Sequence, residues 1–162
     1  MTKLRNYDII SGMKTFISKS PEETINFALN FASQLQGGEI LALHGDLGSG
    51  KTTFTKGLAE GLKISETITS PTFVLLKEYK TQPKLHLGGV SDRFLVHIDA
   101  YRAESIEDIK SVGIEDYLNR SDVILVIEWA EKIKDILPGN VININFSQGE
   151  ENERKIQIDS KN

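Results

Sequence analysis

Nine residues, Gly45-Asp46-Leu47-Gly48-Ser49-Gly50-Lys51-Thr52-Thr53, restrict the fold of this chain more than any other segment. They fit the pattern G-x-x-x-x-G-K-[ST], which works only between a strand and a helix. Both neighbours are present in the sequence. Glu39 to His44 reads Glu-Ile-Leu-Ala-Leu-His, a nearly continuous apolar run that suits a strand buried on both faces of a parallel sheet. Lys51 to Leu62 reads as the helix that follows. Glycines at 45, 48 and 50 let successive backbone N–H groups turn inward toward phosphate oxygens, and the positive end of the helix helps to hold the anion. In such a loop Lys51 reaches the β and γ phosphates, Thr52 offers its hydroxyl to magnesium and Thr53 lies at the α phosphate. A nucleoside triphosphate with magnesium is the ligand this loop predicts.

The rest of the chain supplies the elements such a loop needs. Ser20-Pro21-Glu22-Glu23 has the order of a helix start, with Ser at the N-cap, Pro at the first helical position and Glu three residues after the cap. Ile25, Leu29, Ala32 and Leu35 then recur at helical spacing until Gly37-Gly38, and Phe27 and Phe31 widen the stripe. Further strands are predicted at Thr72 to Tyr79, Phe94 to Ile98, Val123 to Ile127, Val141 to Phe146 and Lys155 to Ile158. Helical segments lie near Ile106 to Lys110 and Glu131 to Ile136. This alternation predicts an α/β fold, a P-loop NTPase with a central, mostly parallel sheet flanked by helices. At 162 residues the chain suits one domain, residues 1–162, with 1–12 and 159–162 as flexible ends. Pro83 and Gly88-Gly89 make Tyr79 to Arg93 an exposed, mobile loop. Its Lys77, Lys80, Lys84 and Arg93 would be a basic contact or, more simply, a solvated face.

A formal charge of −4 argues against the broad basic surface that nonspecific nucleic-acid binding requires, so any RNA would be held through a partner. No cysteine is present, which excludes disulfides and thiol nucleophiles and fits a reducing, cytoplasmic setting. Met1 to Met13 alternates polar and apolar residues without the run a signal peptide or membrane span needs.

A magnesium nucleotide site needs a carboxylate at the end of a neighbouring strand. Asp99 follows Phe94-Leu95-Val96-His97-Ile98, and Glu128 follows Val123-Ile124-Leu125-Val126-Ile127. Each stands at the carboxyl edge, where open α/β sheets bind ligands, and the plainer alternative for either is a helix cap or a solvated carboxylate. Trp129 at this position reads as a core residue and His97 as a packed or hydrogen-bonded histidine; His44 and His86 lack metal-ligand spacing, so no zinc site is expected.

Five segments in order, Gly45 to Thr53, Ser70-Pro71-Thr72-Phe73, His97-Ile98-Asp99-Ala100-Tyr101-Arg102, Val112-Gly113-Ile114 and Ile127-Glu128-Trp129, resemble the TsaE family, also called YjeE. The resemblance covers about Glu39 to Leu137 and is weaker elsewhere. It implies an ATPase, with ATP and magnesium as cofactors and ADP as product. It also implies a place in the bacterial machinery that makes threonylcarbamoyladenosine in tRNAs reading codons that begin with A. The implied partners are TsaB and TsaD, with tRNA reached indirectly through their complex and no membrane involved. By the same resemblance, Ser70, Pro71, Thr72 and Phe73 form one switch and His97 to Arg102, with Tyr101 and Arg102, a second. Asp46, Leu47, Gly48, Ser49, Gly50, Lys51, Thr52 and Thr53 bind nucleotide, Thr52 and Glu128 hold magnesium, Asp99 and Lys51 are catalytic, and Arg154 lies by the base. Two departures stand out: Ala100 replaces a larger apolar residue, and the Tyr79 to Arg93 loop is longer than is typical of the family. The alternative is a small-molecule kinase, which would clamp the transferred phosphoryl group with several arginines, whereas this chain has only Arg5, Arg93, Arg102, Arg120 and Arg154. A GTP-dependent switch would need a guanine-selecting Asn-Lys-x-Asp segment, which the chain lacks.

Overall fold

The computed structural model describes residues 12–86, 89–150 and 152–160. In chain order the elements are β1 (Gly12–Ser18), α1 (Pro21–Ala32), β2 (Ile40–His44), α2 (Lys51–Gly61), β3 (Leu76–Lys80), β4 (Lys84–His86), β5 (Gly89–Ser91), β6 (Phe94–Asp99), α3 (Ile106–Ser111), β7 (Val123–Glu128), β8 (Ile142–Gln148) and β9 (Arg154–Ser160). Short 3₁₀ helices run over Ile114–Asp116 and Ala130–Ile136.

Seven strands form one sheet in the order β1-β9-β8-β2-β7-β6-β3. Its centre, β8-β2-β7-β6, is parallel, while β3 and the β1-β9-β8 side pair antiparallel. The sheet is therefore mixed rather than mostly parallel. β2 and β7 show why the parallel part is central: Leu41, Leu43, Ile124 and Val126 feed one core, and Ile40, Ala42, Leu125 and Ile127 feed the other. Such strands have no polar face to offer water. α1 and α2 cover the first core, where Phe27, Phe31, Phe54 and Phe146 pack ring against ring. α3 and the two 3₁₀ helices cover the other, with Ile109, Ile114 and Ile133 buried.

α1 starts as its sequence predicts, with the Ser20 hydroxyl accepting from the Glu23 N–H at 3.2 Å, but the Glu23 carboxylate reaches the N–H of Lys19 rather than that of the cap. It ends at Ala32, short of Gly37, because the chain tightens into turns in which Gln34 and Leu35 donate to Phe31 and Ala32; Leu35 is nonetheless buried. The predicted strand over Thr72 to Tyr79 begins only at Leu76. Pro71 fixes its own backbone, its carbonyl accepts from Val74 and Leu75, and Leu75 adopts φ +63°, so the chain turns instead of extending. The helical segment near Glu131 is 3₁₀ with a kink at Ile133.

The described residues of Tyr79 to Arg93 include regular structure. Tyr79 ends up fully buried in β3 opposite Leu95, β4 and β5 pair as a hairpin, and Arg93 is buried with its guanidinium donating to the Leu35 carbonyl. Lys80 pairs with Asp92, Lys77 lies 4.8 Å from the Tyr79 ring centre, and the Lys84 side chain lies outside the described residues. β1 is a strand that the alternation before Met13 did not disclose; Gly12 pairs with Ser160. Asp159 and Ser160 thus belong to β9, while residues 1–11 and 161–162 of the expected flexible ends lie outside the described residues. No helix among the described residues is long and apolar enough to cross a membrane.

Candidate functional site

The loop from Gly45 to Gly50 joins the carboxyl end of β2 to the amino end of α2. Gly45, Gly48 and Gly50 hold φ of +139°, +74° and +107°, which side chains disfavour. At Gly45 a Cβ would also meet the Phe146 carbonyl at 2.5 Å. α2 begins behind Gly50 with no side-chain cap and no acidic residue in its first turn. Its amino-terminal N–H groups and partial positive charge therefore remain for an anion.

Lys51 is 4% exposed. Its ammonium donates to the carbonyl oxygens of Gly45 and Asp46, lies 3.5 Å from Ser49 Oγ, and sits 4.1 Å from the Trp129 ring centre. Burial pushes its pKa below the ordinary lysine value, and the carboxylates of Glu128, Glu131, Asp99 and Asp46 act in the opposite direction. A desolvated cation folded back on its own loop has strong reason to bind an anionic ligand.

Two carboxylates complete the cleft. β6 and β7 run parallel with Asp99 opposite Glu128, so both project from the ends of adjacent strands on the α2 side of the sheet. Each is 3% exposed, so neither is the solvated carboxylate of the plainer alternative. Glu128 Oε2 accepts from the Thr52 hydroxyl at 3.0 Å, and Oε1 lies 2.9 Å from His97 Nε2. Asp99 Oδ2 accepts from the hydroxyls of Ser70 and Thr72, the second at 2.8 Å, and Oδ1 accepts from the Tyr101 N–H at 2.9 Å. The turn that displaced the predicted strand at Thr72 is thus tied down by Asp99.

A cleft of roughly 350 Å³ is enclosed by the loop residues Leu47 to Thr53 together with Ser70, Thr72, Asp99, Tyr101, Glu128 and Trp129. Asp46 contributes its carbonyl to Lys51 and Pro71 its carbonyl to the following turn. Phe73 is 82% exposed at the rim, under the Arg102 guanidinium at 4.4 Å. Arg154 lies apart from the carboxylates and lines smaller cavities on the other side of Gly48, one of them with Ser20, Thr24 and Thr53.

The oxygens of Thr52 and Glu128, meeting at the start of α2 beside the Gly45 to Gly50 loop, are of the kind that would suit a hard divalent cation. Among the described residues no group of three or more His, Cys, Asp or Glu could hold a metal. A cation here would rely on one hydroxyl, one carboxylate, phosphate oxygens and water, which is how magnesium differs from ions held in all-protein cages. Trp129 packs against the second core, as its sequence position suggests, and also lines the cleft, which that position did not suggest. It stands at φ +60° directly after Glu128, half-buried, with Lys51 on one side and the Tyr101 ring 5.0 Å away. A bulky residue in the left-handed region is strained, and such strain concentrates at functional sites. Its place next to a strand-end carboxylate was the available signal.

The profile of the family described as "Threonylcarbamoyl adenosine biosynthesis protein TsaE" matches residues 18–156. The chain is 41% identical over 137 residues to the tRNA threonylcarbamoyladenosine biosynthesis protein TsaE of Bacillus subtilis, covering 85% of this chain and 79% of that one. To the TsaE of Rickettsia prowazekii it is 39% identical, over 88% of this chain and 92% of the relative. The crystal structure of Bacillus subtilis YdiB superposes with a TM-score of 0.71 at 32% identity, over 91% of this chain and 85% of that one.

Proposed function

This chain belongs to the TsaE family, and from that premise we propose that it binds ATP with magnesium and hydrolyses it to ADP and phosphate within the machinery that makes threonylcarbamoyladenosine in tRNA. The observation that carries this reading is the convergence of a cation, a hydroxyl and two buried carboxylates, Lys51, Thr52, Glu128 and Asp99, on one cleft beside an uncapped helix amino terminus. That set suits phosphoryl transfer, in which positioning and charge stabilisation do most of the work.

The backbone of residues 46–51 cradles the phosphates, and Thr53 continues the cradle. Lys51 exchanges its loop carbonyls for the β and γ oxygens. Thr52 and Glu128 would hold magnesium, which supplies positive charge to the phosphate oxygens when bound. We assign to Asp99 the orientation of the attacking water: the water oxygen bonds the γ phosphorus while the bond from that phosphorus to the bridging oxygen breaks, the bridging oxygen leaves with ADP, and the proton the water loses passes to a phosphate oxygen. Ser70 and Thr72, held on Asp99, make the 70–73 segment a switch that reports whether that carboxylate is engaged. Tyr101 and Arg102 form the second switch at the rim, and Arg154 borders the cavity available to the base.

We place the protein with TsaB- and TsaD-type partners, which the family's pathway implies, and tRNA is then met through that assembly. The kinase alternative fits less well. Arg93 is buried against Leu35, and Arg120 is engaged by Asp122 and Glu78, so neither is placed to clamp a transferred phosphoryl group. The decisive experiment is calorimetry of ATP and GTP with and without magnesium, joined to phosphate release with candidate acceptor metabolites added. Magnesium-dependent ATP binding with release to water supports an ATPase. Transfer to an acceptor would establish the kinase, and a preference for GTP would establish a guanine-nucleotide switch.

A further inference from the structure

His97 is a core histidine by every measure of packing. It lies on β6 between Val96 and Ile98, is 0% exposed, and points to the α2 side of the sheet from a position opposite Val126. Burying a ring with two polar nitrogens costs free energy that an aliphatic residue here would avoid. What the imidazole gains is one contact, Nε2 to Glu128 Oε1 at 2.9 Å; Nδ1 has no hydrogen-bond partner among the described residues. A carboxylate oxygen is an acceptor, so Nε2 is the donor in this contact.

The consequence falls on the other oxygen of Glu128. Oε1 is held from inside the sheet by His97, and this leaves Oε2 turned outward to the Thr52 hydroxyl at the end of the phosphate loop. Without the imidazole, Glu128 could rotate about its terminal torsion, which is broad for a carboxylate, and both oxygens would compete for Thr52. We infer that His97 is a positioning residue that orients Glu128 for the cation, acting through hydrogen-bond donation and not by touching nucleotide. The inference rests on the magnesium role of Glu128 given above. Partners that fix a ligating side chain usually alter metal affinity about 10- to 100-fold.

The test uses the full chain, four single variants, His97→Leu, His97→Gln, His97→Asn and Glu128→Gln, and the double variant of His97→Leu with Glu128→Gln, read by calorimetry of ATP with and without magnesium and by thermal unfolding. Magnesium should raise ATP affinity at least about tenfold less in His97→Leu than in the parent, with magnesium-free affinity changed less than about twofold. His97→Gln, whose amide can take the place of Nε2, should restore most of the gain. His97→Asn, whose amide falls short, should not. Should His97→Leu fail to fold, the Gln and Asn pair carries the comparison. In a Glu128→Gln background, His97→Leu should cause no further loss. A residue that merely supports the core would lower the melting temperature of all three His97 variants and leave the magnesium gain untouched, and that result would overturn the inference. Loss of the gain in Glu128→Gln alone, with every His97 variant behaving like the parent, also overturns it while sparing the magnesium reading. An undiminished gain in Glu128→Gln removes the magnesium reading itself, and the inference with it.

Discussion

At the scale of single residues, Lys51 is the simplest test of the site. Lys51→Ala should weaken ATP binding about 10- to 100-fold, the worth of a charge-assisted contact, and abolish hydrolysis while the protein stays folded. Calorimetry and thermal unfolding together check both halves. The direction of the Lys51 pKa adds a pH signature. Because burial lowers it, the unfolded chain binds the more protons between the depressed value and 10.5, so this residue's contribution to stability increases as pH rises through that window. ATP affinity should move the other way, falling as the ammonium is lost, and it should do so at a lower pH than an exposed lysine would allow. A pH titration of affinity reaching 10.5 with no loss would contradict this. The two carboxylates should divide their roles: Glu128→Gln should cut magnesium-dependent affinity more than magnesium-free affinity, and Asp99→Asn should act mainly on turnover. Equal losses from both variants in both assays would erase the division. Lys51, Thr52, Asp99 and Glu128 were legible because each lies in a local pattern, a loop motif or the residue that ends an apolar run, whereas Ser70, Thr72 and Tyr101 were named only through the family resemblance. The place of Trp129 at the cleft and the His97 to Glu128 contact were not legible, since one depends on a left-handed backbone and the other on the register of β6 against β7.

At the scale of elements, α2 must both follow directly on the Gly45 to Gly50 loop and lie close on α1, and two glycines one turn apart make this possible. A Cβ at Gly57 would meet the Ile25 carbonyl at 2.4 Å and the Ala28 Cβ at 2.8 Å; one at Gly61 would meet the Ala32 Cβ and the Leu29 carbonyl, each at 2.6 Å. Alanine would improve helix propensity by up to about 1 kcal/mol. Overpacking against backbone costs about 1 to 3 kcal/mol, so the second effect wins. Gly57→Ala should therefore lower stability in denaturant unfolding, and by tilting α2 it should also weaken ATP binding through the displaced loop. A more stable variant with unchanged affinity would refute the close-packing argument. Sequence periodicity reveals such helices but not why they touch at glycine, because contact distance is a property of the pair. The same limit explains other differences between sequence and fold. β2, β6 and β7 were readable from largely apolar runs, whereas β1 exists through its pairing with β9, and the antiparallel β3 begins only after the turn in which Asp99 holds Ser70 and Thr72.

At the scale of the whole molecule, the exposed surface around the cleft bears on turnover. Leu47, Phe73, Val74 and Tyr101 are large apolar residues left exposed, and Leu47 and Tyr101 line the cleft itself. Arg102 is exposed beside them, its guanidinium resting on Phe73 and paired with no carboxylate among the described residues. Hydrolysis needs positive charge and an ordered water at the γ phosphate, and P-loop proteins without a committed arginine gain about 10³- to 10⁵-fold when one is supplied. Of the five arginines, Arg93 and Arg120 are engaged elsewhere, Arg154 lies across Gly48 from the carboxylates, and Arg5 is outside the described residues. Arg102 is the one in the segment proposed above as a second switch, and its cation–π contact at an exposed site is worth only about 0.5–1 kcal/mol, little enough to exchange for a phosphate. The isolated chain should accordingly bind ATP but turn it over slowly, with appreciable hydrolysis only when TsaB- and TsaD-type partners cover this rim and order the switches. Steady-state phosphate release, measured for the chain alone and with each partner added singly and together, checks the expectation. Arg102→Ala should remove most of the stimulated rate while leaving ATP affinity within a few-fold, whereas fast turnover by the chain alone, indifferent to either partner, would mean that the site is complete without them.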